Sequence, residues 1–129
     1  MNAPLAAPPD PARTGVAGQP LVFHPGAAHG DLAKRLRKDV AGDVLFDAAS
    51  RGRYATDASI YQVVPVGVLV PRSAADVDAA LAICRDLRVP VLPRGAGSSQ
   101  CGQTVGAALV IDHSKYLNHV IAFDADAMT

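Results

Sequence analysis

Val63-Val64-Pro65-Val66-Gly67-Val68-Leu69-Val70 is apolar without alternation, which predicts a strand buried on both faces. Pro71 ends it, because proline cannot donate to a ladder. Ser73-Ala74-Ala75-Asp76 has the spacing of a capping box, with Asp where Glu is more usual. Val77, Ala80, Leu81, Cys84 and Leu87 follow at steps of three and four, predicting an amphipathic helix to residue 87. Val89-Pro90-Val91-Leu92 reads as a second short strand. Strand, helix and strand with tight connections make a βαβ unit, whose two strands run parallel.

Downstream lies a loop, Pro93-Arg94-Gly95-Ala96-Gly97-Ser98-Ser99-Gln100-Cys101-Gly102-Gln103. Its glycines let the backbone turn sharply and approach a ligand. Successive amides in such a turn can form a nest for an anion, the serines add hydroxyls, and Arg94 adds a fixed charge with a planar donor fork. A pyrophosphate suits this chemistry. A Walker loop is excluded because the loop has no Lys. The dinucleotide fingerprint matches only at Gly95 and Gly97, since Gln100 stands where a third glycine belongs and no periodic helix follows. Residues 107–111 read as a third strand, 112–118 as a turn segment and 119–123 as a fourth strand. The fold class is therefore α+β, a βαβ unit with additional strands.

Upstream, residues 43–62 scatter single apolar residues among Gly, Ser, Asp and Arg and read as irregular, locally packed chain. Asp31 to Val40 reads as a short helix capped by Asp31, with Leu32, Leu36 and Val40 on one face and Lys34, Arg35, Arg37 and Lys38 on the others. Such a basic run is far more often a solvated face than a phosphate site. Residues 1 to about 30 alternate Pro with Ala and Gly and read as an extended segment. The organisation expected is an extension with a short basic helix over residues 1–42 and a folded region over 43–129.

Lys+Arg and Asp+Glu both number 12 in 129 residues, so the net charge is zero, which argues against a nucleic-acid partner. No apolar run approaches the ~18 residues needed to span a bilayer, and no signal-peptide pattern opens the chain. Two Cys set 17 residues apart make neither a disulfide framework nor a metal pair, and reduced thiols suit a cytoplasmic setting. No metal site is expected, because the histidines lack ligand spacing.

Pro93-Arg94-Gly95-Ala96-Gly97-Ser98-Ser99, then Gly102-Gln103, Ala108-Leu109-Val110-Ile111-Asp112 and Ser114-Lys115-Tyr116-Leu117-Asn118, resemble the flavin-binding domain of the vanillyl-alcohol oxidase / p-cresol methylhydroxylase type. Tyr54-Ala55-Thr56-Asp57-Ala58-Ser59-Ile60-Tyr61 and Val68-Leu69-Val70-Pro71-Arg72-Ser73 match the same family in order and spacing. The resemblance covers residues 43–129 and is nearest the FAD-linked dehydrogenases of D-2-hydroxy acids, such as D-lactate dehydrogenase and the glycolate oxidase flavin subunit. It implies the first lobe of an FAD-binding domain, with the pyrophosphate held by Arg94, Gly95, Ala96, Gly97, Ser98 and Ser99. Gly102 and Gln103 close that loop, and Pro71 lies on the adenine side.

Ser98 stands where some members carry a flavin-linking His, so non-covalent FAD is implied. The implied reaction is oxidation of a D-2-hydroxy acid by hydride transfer to flavin N5. The substrate pocket, the catalytic base and any iron–sulfur cluster are expected in a downstream region or partner domain, so no catalytic residue is assigned and this chain alone is expected to be inactive. The chain is expected to be the front part of such a domain, or the FAD-binding piece of a split enzyme. The different-class alternative is a non-catalytic fragment with no tight ligand. The parent enzyme is expected in the cytoplasm, with peripheral membrane association compatible with the family.

The remaining chemistry-bearing residues have bland readings. Cys101 reads as a small loop residue and Cys84 as core. His113 beside Asp112 reads as a surface turn residue, and Lys115 as a solvated lysine. Asp57, Ser59 and Tyr61 fit either packing or binding.

Overall fold

The computed structural model describes residues 27–129, so the extended segment expected before them lies outside the described residues. The elements are α1 (Ala27–Asp39), β1 (Asp43–Leu45), α2 (Ala48–Arg53), β2 (Gly67–Val70), α3 (Ala74–Leu87), β3 (Val91–Arg94) and β4 (Leu109–Asp112). The strands form one sheet in the order β1-β2-β4-β3. β2 and β3 each pair parallel with β4, and β1 pairs antiparallel with β2.

α3 does join two parallel strands, as the βαβ reading expects, but β4 inserts between them. Burial and Pro93 account for the order. Every residue of β4 is buried, as in a central strand, whereas β3 is only partly covered and carries Pro93. A proline within a sheet belongs on an edge, where its missing N–H costs no ladder bond.

Alternation along the strands sorts side chains onto two faces. Leu69, Leu109 and Ile111 pack with Leu32 and Leu36 of α1 and with Ala80, Ile83 and Cys84 of α3. Val68, Val70 and Val110 face the other way, against Leu45, Tyr54, Leu92 and Tyr116. The helices thus cover one face, and aromatic residues from the connecting segments cover the other.

Several expectations require correction. Residues 119–123 form no strand: Val120, Ile121 and Phe123 are 88%, 97% and 81% exposed. Pairing with β4 is closed to them because β2 and β3 already flank it on both sides. The first apolar run becomes strand only from Gly67, and Val64 is exposed, since Pro65 interrupts the ladder ahead of it. Residues 43–62 are not wholly irregular, because they contain β1 and α2. The latter is a single turn and a half, too short to show a period, and is capped by Asp47 Oδ1 accepting from the Ser50 N–H at 2.8 Å. Asp31 lies inside α1 rather than capping it, because the helix begins at Ala27.

The Ser73 cap holds: its Oγ accepts from the Asp76 N–H at 3.3 Å. Asp76 is one methylene shorter than Glu, and its carboxylate takes different donors. Oδ2 accepts from the Arg72 N–H and Oδ1 from the Ala41 N–H, both at 2.8 Å. At 5% exposure this side chain ties the end of α1 to the start of α3. A carboxylate accepting two amides is worth more than a neutral bond. We expect Asp76→Ala to cost about 2 kcal/mol in urea unfolding, and Asp78→Ala, on the exposed side of α3, to stay within about 0.5 kcal/mol.

Candidate functional site

Ligands of open parallel sheets sit beyond the carboxyl ends of the strands. Here those ends are Val70, Arg94 and Asp112, joined by Asp43 at the start of antiparallel β1. Register makes Arg94 the partner of Asp112 and Asp43 the partner of Val70, so the four form one row on the aromatic face. A cleft of about 490 Å³ opens over this row. Arg53, Tyr54, Gly95, Ala96 and Lys115 complete much of its wall.

The row is wired by hydrogen bonds. Tyr54 donates its phenol to Asp112 Oδ2 at 2.6 Å, and Ser114 donates its N–H and hydroxyl to Asp112 Oδ1 at 2.8 and 2.6 Å. Burial works against the Asp112 charge, but the Ser114 and Tyr54 hydrogen bonds and the nearby Arg94 cation outweigh it and hold the carboxyl below its ordinary value. Burial, then the bond to Asp112, push the Tyr54 phenol up to about 12, so it remains a donor at neutral pH. Asp43 accepts from Lys115 at 2.8 Å, Tyr116 at 3.1 Å and Arg72 at 3.2 Å, and the Lys115 bond leads in holding its carboxyl low. Arg53 and Arg94 have no carboxylate within ion-pair distance among the described residues.

The glycine loop connects β3 to β4. The backbone N–H groups of Gly95, Ala96, Gly97, Ser98 and Ser99 donate to no other group among the described residues. Gly97 and Gly102 both adopt positive φ, at 72° and 76°, the region that glycine enters without strain. Ser99 Oγ gathers the far half of the loop. It accepts from the Gln103 N–H at 3.1 Å and the Cys101 N–H at 3.4 Å, and donates to the Gln103 side-chain oxygen.

Of the residues expected to form the site, Arg94, Gly95 and Ala96 line the cleft. Gly97, Ser98, Ser99, Gly102 and Gln103 continue along the loop beyond its wall, and Pro71 is buried directly after the end of β2. Asp43, Tyr54 and Asp112 were not expected at a site. The available signal was the strand-end position shared by Arg94 and Asp112, which needs the parallel register to be known. Asp57 accepts from Thr104 Oγ1 and from the Ser59 N–H, both at 2.9 Å, while the Tyr61 ring lies against Gly102. Among the described residues no cluster of His, Cys, Asp and Glu could hold a metal. Cys84 is buried, and burial pushes its thiol up to about 11.

A carboxyl held low in the folded state adds stability above its unfolded value of about 3.9 and loses it as pH falls through the folded value. We therefore expect the stability difference between the unaltered chain and Asp112→Asn to be constant from pH 7 to pH 5. It should shrink below about pH 4, as read by urea unfolding across that range.

The sequence profile of a family described as FAD binding domain matches residues 65–129. The chain is 35% identical over 97 residues to glycolate oxidase subunit GlcD of Bacillus subtilis (strain 168), an alignment covering 70% of this chain and 20% of that protein. It is 34% identical over 88 residues to D-2-hydroxyglutarate dehydrogenase of Escherichia coli (strain K12), covering 66% of this chain and 9% of that one. The fold is similar to that of p-cresol methylhydroxylase, with a TM-score of 0.56, 15% identity and coverage of 75% of this chain and 20% of that structure. The chain thus spans a fifth or less of the length of these proteins.

Proposed function

The chain belongs to the FAD-binding domain family, and from that premise we propose that its glycine loop holds the pyrophosphate of a non-covalent FAD in a flavin-dependent oxidoreductase. The observation that carries this reading is the run of five successive amides, Gly95 to Ser99, with no partner among the described residues. They follow the carboxyl end of β3, which pairs parallel with β4. A pyrophosphate offers several anionic acceptors within a few ångströms, which suits such an array. Arg53, with no ion-pair partner among the described residues, favours an anion in the adjoining cleft.

Each residue has a proposed part. Gly95, Ala96, Gly97, Ser98 and Ser99 present the amides. Arg94 ends β3 just before the loop, Gly102 and Gln103 close it, and Pro71 borders the adenine side. Ser98 has no nucleophilic nitrogen to attach the flavin, which supports the non-covalent mode. FAD, when bound, supplies the hydride acceptor, while these residues bind and orient it. By similarity to the glycolate and D-2-hydroxyglutarate enzymes, the proposed substrate is a D-2-hydroxy acid.

The pocket for that acid, the catalytic base and any iron–sulfur centre are proposed to reside in further protein, either fused or a partner subunit. Exposure of Val120, Ile121 and Phe123 favours more protein packed on this segment. No helix among the described residues is long and apolar enough to cross a membrane. We place the parent enzyme in the cytoplasm.

Titration of FAD into the purified chain, read by flavin fluorescence and melting, tests the proposal. We expect binding that raises Tm and is competed by ADP, with no flavin retained after denaturation. Gly102→Ala should weaken binding about fivefold, because it puts a Cβ at positive φ, at a cost of about 1 kcal/mol. That Cβ would also stand 2.6 Å from the Tyr61 ring. FAD binding that ADP does not displace, or equal affinity in Gly102→Ala, would count against the loop as the pyrophosphate site.

A further inference from the structure

The loop from residue 95 to residue 108 joins parallel neighbours without a helix, so its shape must come from side chains that reach into it. One side chain reaches it at two points. Arg94 Nη1 donates to the Thr104 carbonyl at 3.2 Å, near the far end of the loop, and to the Tyr54 carbonyl at 3.5 Å. The same guanidinium lies against Gly97 so closely that a Cβ there would collide with it. Its carbon sits 5.2 Å from the centroid of the Tyr54 ring, and Tyr54 is itself fixed by its 2.6 Å bond to Asp112. Thr104 is held from its other side by Asp57, and the Gly97 carbonyl accepts from the Ala58 N–H at 3.0 Å.

We propose that Arg94 is a positioning residue: its guanidinium plane is a strut beneath the loop that fixes Gly97 and Thr104 relative to Tyr54, rather than the charge that contacts the bound anion. This rests on the pyrophosphate reading of the loop, whose amides the strut would hold in place. The chemistry requires Arg. A planar fork can donate in its own plane to carbonyls while offering its faces to a ring and to Gly97, and a lysine ammonium cannot do both. Arg94 is therefore not exchangeable with another cation, which separates a strut from a simple anion contact.

The test uses Arg94→Lys and Arg94→Ala beside the unaltered chain, with melting curves to confirm folding. Amide hydrogen exchange at Ala58 is read without ligand, and ADP affinity is read by titration at low and high salt. If Arg94 is the strut, exchange at Ala58 rises about tenfold in both variants. ADP binding then weakens about tenfold in both, with the salt dependence unchanged. Binding retained in Arg94→Lys but lost in Arg94→Ala, with unaltered Ala58 exchange, would overturn the proposal in favour of direct charge contact.

Gly97→Ala gives an independent reading. Beyond the positive-φ strain that both backgrounds share, its loss of Tm should be smaller when Arg94→Ala removes the group that its Cβ meets, and an equal loss in both backgrounds would overturn the proposal. Failure of the unaltered chain to bind ADP, with the exchange and Gly97 responses intact, would sink the FAD reading and leave the strut standing.

Discussion

Parallel pairing of β3 with β4 is the constraint on which the cleft depends. Two parallel neighbours cannot be joined by a tight turn, and the chain must travel back along the sheet through roughly a dozen residues or more. Most proteins spend those residues on a helix. This chain spends them on glycine-bearing loop, residues 95–108. A loop has no internal ladder to satisfy its amides, so part of the backbone is left with donors to offer. The same pairing sets Arg94 beside Asp112 and so decides which charges meet at the strand ends.

Side chains compensate for the missing helix. Arg94 and Asp57 reach the loop from outside, Ser99 gathers it from within, and the Tyr61 ring packs on Gly102. Glycines at 97 and 102 remove the Cβ where these neighbours press closest, and supply the positive φ that the path needs. The Tyr54–Asp112–Ser114 bonds give the strut a fixed base, and the low carboxyl of Asp112 keeps that base charged at neutral pH. Rigidity of this kind lowers the entropy lost when an anion is bound.

Legibility in the sequence followed the length of each signal. The α3 helix carried four turns of periodicity and a serine cap, and was found within a residue of its observed bounds. The glycine loop was visible because its composition is unusual. What escaped was non-local. The central place of β4 depends on burial compared between strands, not on any one strand's pattern, although Pro93 was a hint that β3 is an edge. The tail at 119–123 has a strand's composition, but the only strand near it in sequence is already paired on both sides. Asp112 and Tyr54 lie 58 residues apart and meet only after the sheet forms. Arg94 was legible as a functional residue for its charge, whereas the structure shows its plane engaged within the protein.

We propose the unengaged amides at the end of β3 as an anion-binding array for a flavin dinucleotide. Amide chemical-shift mapping of the isotope-labelled chain on addition of ADP addresses it residue by residue. The largest shifts are expected on Gly95 to Ser99, with smaller ones at Gly102 and Gln103. Binding of ADP with shifts centred elsewhere, for instance on the basic face of α1, would contradict it.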